Sequence, residues 1–241
     1  MIKLISSSVF SFPKNEERKN QDALLSPIKQ GDKYLFAVAD GVGGYKGGEI
    51  ASQIAIKNLE QDPKNVFQAT LAEIKQLPEE YQRASTTLTF GYLAPEGLYI
   101  GHIGDCRLYI KQGNKLRQKT KDHTTHQRLL DEKIYTKKEL KEQPGKNIIT
   151  TAISTQVEMK PDEFFIPIDE LKDENNEVFI YIMSDGAHHF WEHRPRFSDA
   201  TMQSISRFSA ALQKRIEKAP TDDYSLVAVQ FKIGEKAHRT T

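Results

Sequence analysis

One cysteine, one tryptophan and four methionines stand among 241 residues. The lone Cys106 excludes an intramolecular disulfide framework and a thiolate-rich zinc site, and it fits a reducing compartment. Excess charge is missing too: 34 Lys and Arg face 33 Asp and Glu, a formal net charge of +1. That near balance gives no support to a chain-wide electrostatic footprint for nucleic acid or anionic lipid, although it leaves room for a local basic patch. No apolar run approaches the roughly 18 residues of a membrane span. The opening MIKLISSSVF breaks its apolar run too early to serve as a secretory signal. We therefore expect a cytoplasmic, monomeric protein that binds neither nucleic acid nor membrane. No internal repeat or linker interrupts the chain, so residues 1–241 read as one domain, long enough to bury a substantial core.

What is present begins with strands. ISSSVFSF, DALLSPI and YLFAVAD are apolar runs separated by the polar PKNEERKN and by QGDK, and the latter suggests a hairpin. EIASQIAIKNLE then changes period: Ala51, Ile54, Ala55 and Leu59 recur every three to four residues, as on one helix face. A second helix is expected over about 65–77, stopping before Pro78. ASTTLTFGYL, GLYIGHI, CRLYIKQ and NKLRQ return to strand character, with PEG, GD and GN as links of the kind that join antiparallel neighbours. Residues 121–146 are highly polar and read as a surface excursion with helical candidates at 127–132 and 137–143. EVFIYIMSDG predicts a central strand ending in Asp-Gly, Thr201–Glu217 a long helix, and DYSLVAVQF a closing strand. YLFAVA and VFIYIM are apolar on both faces, so their strands must be covered on both sides. The fold class expected is therefore α+β, with two mainly antiparallel sheets packed together and helices on both outer faces.

Four acidic corners stand out against that frame. Asp40 and Asp185 end apolar strands in FAVADG and IYIMSDG, Asp105 occupies the GHIGDCR turn, and Asp222 with Asp223 opens the last strand. Each alone is an ordinary turn residue. If the corners meet, repulsion raises at least one carboxyl pKa unless a cation neutralises the group. Oxygen ligands without His or Cys partners point to Mg²⁺ or Mn²⁺ rather than zinc.

KNQDAL, FAVADGVGG, GEIAS, STTL, HIGDCRLYI, DHT, IMSDG and TDDYSLVAV occur in the order found in metal-dependent protein phosphatases of the 2C type, and the chain resembles that family, in its bacterial form, from about residue 15 to 231. The resemblance implies an α-β-β-α sandwich. It implies hydrolysis of phosphoserine and phosphothreonine in proteins by metal-activated water, with two Mg²⁺ or Mn²⁺ ions and no covalent phosphoenzyme. Matched motif by motif, Asp40 resembles the carboxylate that bridges the two ions and Gly41 the residue whose carbonyl holds the second. Asp185 and Asp222 resemble the other carboxylates of the first ion, Asp22 the acid that holds metal-bound water, and Asp105 the one that shares a weaker third ion with Asp185. Gly43 and Gly44 match a turn passing close to the ions. The substrates implied are phosphoproteins, targets of a serine/threonine kinase.

The match is looser elsewhere. The family's phosphate-binding arginine falls one residue before Arg18, at Glu17, so Arg18 reads either as a shifted phosphate ligand or as a solvent-facing charge, with Lys14 and Lys19 as stand-ins. His123 and His188 are candidate general acids for the leaving oxygen. The alternative for His188 and His189 is a half-buried helix start beside Trp191, and for His123 a helix cap. Cys106, Tyr45 and Trp191 read as packing or rim residues. The polar stretch at about 121–146 matches a flap beside the family's catalytic cleft, and its lysines would favour acidic phosphopeptides. Two other functions stay open: a phosphatase for small phosphomonoesters, and a catalytically weak regulatory module that binds a partner.

Overall fold

The computed structural model describes residues 1–43, 46–140, 145 and 148–234. Gly44, Tyr45 and the end of the helical candidate at 137–143 lie outside the described residues. The strands in chain order are β1 (Ile2–Phe12), β2 (Asp22–Gln30), β3 (Lys33–Asp40), β4 (Leu88–Ala94), β5 (Gly97–Ile103), β6 (Arg107–Gln112), β7 (Lys115–Gln118), β8 (Asp162–Pro167), β9 (Glu177–Met183) and β10 (Tyr224–Ile233). The helices are α1 (Gly48–Gln61), α2 (Val66–Ile74), α3 (Thr125–Asp131), α4 (Lys137–Leu140), α5 (Ile168–Leu171), α6 (Asp185–His193), α7 (Asp199–Met202) and α8 (Ile205–Ile216).

Side-chain alternation in the apolar strands sets the layers. Phe36 and Val38 of β3 face a core shared with Ile180 and Ile182 of β9 and Val227 and Val229 of β10. The intervening Leu35, Ala37 and Ala39 pack under α1 and α2. Phe179, Tyr181 and Met183 pack under α6, α7 and α8. Period-two side chains on doubly covered strands thus generate three apolar layers between four structural ones. The sheets are antiparallel throughout, in the orders β1-β10-β9-β6-β7 and β2-β3-β4-β5-β8. On α8, Ile205, Phe208, Leu212 and Ile216 are buried at helical spacing. Full burial of one such side chain contributes roughly 1.5–3 kcal/mol, so this stripe determines where the helix lies.

The α-β-β-α arrangement matches the sequence expectation, with local corrections. The GD link does not join neighbours within a sheet: β5 and β6 belong to different sheets, and Gly104 takes φ 101° where the chain crosses. The long helix at 201–217 is two, because Ser204 leaves the helical conformation and its hydroxyl accepts from Arg207 N as the cap of α8. Asp185 is the first residue of α6 rather than the end of β9. The first helix of the polar stretch begins at Thr125, capped by Thr124. Strand β8, an edge partner of β5, had no counterpart in the reading of the sequence. Among the described residues no helix is long and apolar enough to cross a membrane.

Candidate active site

Backbone register delivers the carboxylates. In the β2–β3 hairpin Asp22 pairs directly with Asp40, so both side chains leave the same end of one sheet. The Asp40 backbone is clamped: its N–H donates to Thr87 Oγ1 at 3.0 Å, and its carbonyl accepts from Thr87 N at 2.8 Å and Thr86 Oγ1 at 3.0 Å. From the other sheet, Ser184 N donates to Ser225 O at 3.1 Å, joining the start of α6 to the strand that follows Asp222 and Asp223. Asp105 occupies the crossing between β5 and β6, its carbonyl accepting from His188 Nε2 at 3.1 Å. Gly41 donates its N–H to Gln21 O at 3.1 Å, and a Cβ there would lie 2.4 Å from the Gly48 carbonyl carbon. Only glycine permits that approach of two backbones.

The acids interact strongly. Burial, above all, pushes the Asp40 carboxyl well above 3.8, and repulsion from Asp22, Asp185, Asp105 and Asp222 adds to it. Burial likewise raises Asp22 to about 7; hydrogen bonds from Ser225 and Ser184 oppose this, and Asp185 and Asp223 add to it. Asp185 rises to about 6 through burial and the Asp222 charge, with an Asp40 hydrogen bond opposing. Asp105 rises well above 3.8 through burial, Asp185 and Asp122, with Arg107 opposing. Ser225 N–H donates to Ser184 Oγ, which donates to Asp22 Oδ2 at 2.8 Å, while the buried Asp22 Oδ1 has no hydrogen-bond partner among the described residues.

The linkage has a definite sign. Because these folded-state pKa values lie above the unfolded value, the folded protein holds more protons at intermediate pH. That stabilisation is complete below about pH 4 and is lost as pH rises through about 6 for Asp185 and about 7 for Asp22. His102, lowered to about 4 chiefly by burial, acts in the opposite sense between about pH 6.5 and 4. It is one imidazole against four carboxyls. Thermal melts in chelator should therefore give a lower Tm at pH 7.5 than at pH 5, and a divalent cation should restore the difference. A Tm that climbs over that interval in chelator contradicts the repulsion argument.

Arg18 reaches this cluster despite its shifted position. Its Nη1 lies 3.4 Å from Asp222 Oδ1, and its Nη2 donates to Gln21 Oε1 at 3.0 Å and Asp223 Oδ2 at 3.2 Å. Asp223 also accepts from Lys14 N and Gln21 N, each at 2.8 Å, and is only 3% exposed. Asp223 therefore anchors the whole 14–21 loop, a role the reading of the sequence missed. No local pattern marked it: both aspartates lie in the bend ahead of β10, and the partners of Asp223 are about two hundred residues away in the chain. Lys19 pairs with Glu49 at 3.4 Å.

The two histidine candidates are both engaged. His123 Nδ1 accepts from Gly104 N at 3.2 Å, leaving its proton on Nε2, which lies 3.2 Å from Asp162 Oδ2. His188 is buried at the start of α6 against the Asp105 carbonyl. Cys106 is fully buried, with Sγ 3.3 Å from Thr87 Oγ1, and burial, reinforced by Asp40 and Asp105, pushes its thiol well above 9.0. Such a group packs as a thiol rather than serving as a nucleophile. Trp191 packs against Phe208 in the core.

An oxygen-only set of mutually repelling carboxylates, one with an unpartnered buried oxygen, has the chemistry of a hard divalent-cation site. Among the described residues, no three His, Cys, Asp or Glu side chains already form a closed ligand set.

The model of the family described as protein phosphatase 2C matches residues 14–219. The chain belongs to the protein phosphatase 2C family. Members of this family use divalent metal ions. The chain is 30% identical over 152 residues to the serine/threonine phosphatase stp of Listeria welshimeri, covering 55% of this chain and 60% of that protein. It is 31% identical over 160 residues to the protein phosphatase PhpP of Streptococcus pneumoniae, covering 59% and 65%. Both alignments thus span less than two thirds of these relatives. The crystal structure of the catalytic domain of the serine/threonine protein phosphatase PstP in complex with two manganese ions superimposes with a TM-score of 0.72 at 22% identity, covering 96% of this chain and all of that one. At that identity the likeness extends to the 2C fold.

Proposed function

We propose that residues 1–241 act as one catalytic domain that hydrolyses phosphoserine and phosphothreonine in proteins, in the cytoplasm and as a monomer, on substrates made by a serine/threonine kinase. The observation that carries this reading is the carboxylate cluster of Asp22, Asp40, Asp105 and Asp185 with the Arg18 guanidinium at its rim beside Asp222. Asp40, the Gly41 carbonyl, Asp185 and Asp222 would hold two Mg²⁺ or Mn²⁺ ions, and Asp105 with Asp185 a weaker third. Bound there, the ions supply an activated water and neutralise the charge of the phosphoryl group.

The chain's own groups do the rest. Arg18 holds two phosphoryl oxygens, a task its planar fork suits better than an ammonium. Asp22, oriented by Ser184, accepts a hydrogen bond from water through its open Oδ1. His123, whose Nε2 proton faces Asp162, is the donor proposed for the leaving oxygen, since His188 holds the Asp105 backbone. Phosphate release from a phosphothreonine peptide should require Mn²⁺ or Mg²⁺ and stop with chelator. Faster turnover of small phosphoesters than of any phosphopeptide would instead assign a small-molecule phosphatase, and no turnover of either a regulatory module.

Arg18→Ala tests the phosphate contact cleanly, because Lys14 N and Gln21 N still bind Asp223 and hold the loop. The guanidinium is about a third exposed, so a charged hydrogen bond there is expected to be worth about 1.5 kcal/mol after solvent screening. KM for a phosphopeptide should rise about tenfold, and kcat should fall as well if the contact tightens in the transition state. Steady-state kinetics with both parameters unchanged would leave Arg18 a surface charge.

A further inference from the structure

A second charged feature lies on the outer face of the sheet that contains β9. Between α6 and α8 runs a groove of about 610 Å³ lined by His189, His193, Arg194, Lys214, Arg215 and Lys218. Its size falls in the range of about 300–1,000 Å³ typical of ligand sites. No acid contributes to the lining. Among the described residues no carboxylate pairs with Arg194, Lys214, Arg215 or Lys218. Arg215 is locked in place, donating to the carbonyls of Phe190 at 3.2 Å, Arg194 at 2.7 Å and Arg196 at 3.1 Å, with its guanidinium 4.1 Å from the centre of the Phe197 ring.

Cations at helix ends have a structural use, since α6 and α8 both terminate here and a C-terminal dipole welcomes positive charge. Two helix ends present only about one negative charge together, at roughly half a unit each. Four full cations exceed that. The surplus is concentrated on a chain whose overall formal charge is +1.

We propose that this groove binds an acidic polypeptide segment flanking the phosphoresidue of a protein substrate; the proposal rests on the phosphatase reading above. Asp185, His189 and His193 stand at i, i+4 and i+8 of α6, along one stripe that runs from the carboxylate cluster into the groove. At 1.5 Å rise per residue, His189 and His193 lie about 6 and 12 Å along the axis from Asp185. An extended peptide spans that in about two to four residues. A chain already anchored by its phosphate meets the basic groove intramolecularly, at high effective concentration. A free nucleic acid or a lipid headgroup has no such tether.

The test uses the full chain loaded with Mn²⁺ and a fluorescent, unphosphorylated peptide rich in Glu and Asp, read by anisotropy. The double variant Lys214→Glu/Lys218→Glu reverses two groove charges that, among the described residues, make no ion pair with the carboxylate cluster, so turnover of p-nitrophenyl phosphate should be largely unchanged. Binding of the acidic peptide should weaken about tenfold and fall further with salt. The kcat/KM of a phosphothreonine peptide with acids two to four residues from the phosphothreonine should drop by a similar factor, and that of a neutral-flanked peptide should hold. Equal binding of the acidic peptide to both proteins overturns the proposal. So does a lysine dependence larger for an oligothymidylate or for phosphatidylglycerol vesicles than for the peptide. Lysine-dependent peptide binding without phosphate release from any phosphopeptide would keep the docking groove and remove the phosphatase reading.

Discussion

Replacing Asp40 by asparagine should lower phosphate release at least about 10³-fold while making the ion-free protein more stable. The two effects share one cause. Asp40 is half-buried, largely desolvated at its carboxyl, and feels four other carboxylates, so its ionised form is disfavoured in the folded chain. An asparagine of the same shape removes that charge and offers an amide donor to its neighbours, relieving repulsion. A gain of about 1 kcal/mol would raise Tm by about 2–4 °C in a chain of this length. The same charge is what a divalent cation needs. Losing one preorganised electrostatic group from an active site typically costs about 10²–10³ in rate, and a carboxylate proposed to bridge two ions should cost at least the upper figure. Calorimetry in chelator and phosphate release with Mn²⁺ read the two effects separately. A variant that keeps a tenth of the rate, or that melts lower without ions, would remove Asp40 from the centre of the site.

Gly186→Ala should cripple the protein by a different route. An added Cβ would lie 2.0 Å from Asp223 O and 3.2 Å from Asp222 O, both backbone atoms. Neither can rotate away as a side chain would. Relief requires moving α6 from the corner that carries Asp222 and Asp223, and α6 begins with Asp185. Overpacking of this kind costs typically about 1–3 kcal/mol, so Tm should fall by about 2–12 °C. Below the new melting temperature kcat should still be depressed, because Asp185 and Asp222 are displaced relative to each other. Melting curves together with kinetics on the folded variant check this. Gly186→Ala with wild-type stability and kcat would mean that the corner is softer than its contacts imply.

Much of the site was legible because its aspartates stand in motifs with a local physical meaning. An apolar strand followed by Asp-Gly specifies a carboxylate at a sheet end with room beside it, and Asp40 conforms. Asp185 shows the limit of that pattern: MSDG reads as the end of a strand, yet Ser184 already stands at the N-cap position of the helix that Asp185 begins. Arg18 was legible only as an alternative. Register along the sequence placed it one residue out, whereas its guanidinium reaches across more than two hundred residues to Asp222 and Asp223. Asp223 went unrecognised as an anchor for the same reason, since each partner its side chain binds lies near the other end of the chain.

The sequence by itself determined the layers. Doubly apolar strands demand cover on both faces, three- to four-residue periodicity marks the helices that provide it, and balanced charge with a single cysteine narrows the chemistry. Those are local properties, set by backbone period and side-chain polarity, and they survive without knowledge of long-range contacts. Tertiary structure alone decided which sheet each strand joins, as when the three-residue link at Gly104 carries the chain from one sheet to the other. It also decided how far burial and mutual repulsion drive the carboxyls, because desolvation and Coulomb interaction depend on distances between segments that the sequence leaves far apart. The basic groove between α6 and α8 belongs to the same class: its histidines and lysines are more than twenty residues apart in the chain and meet only when two helices pack on one sheet.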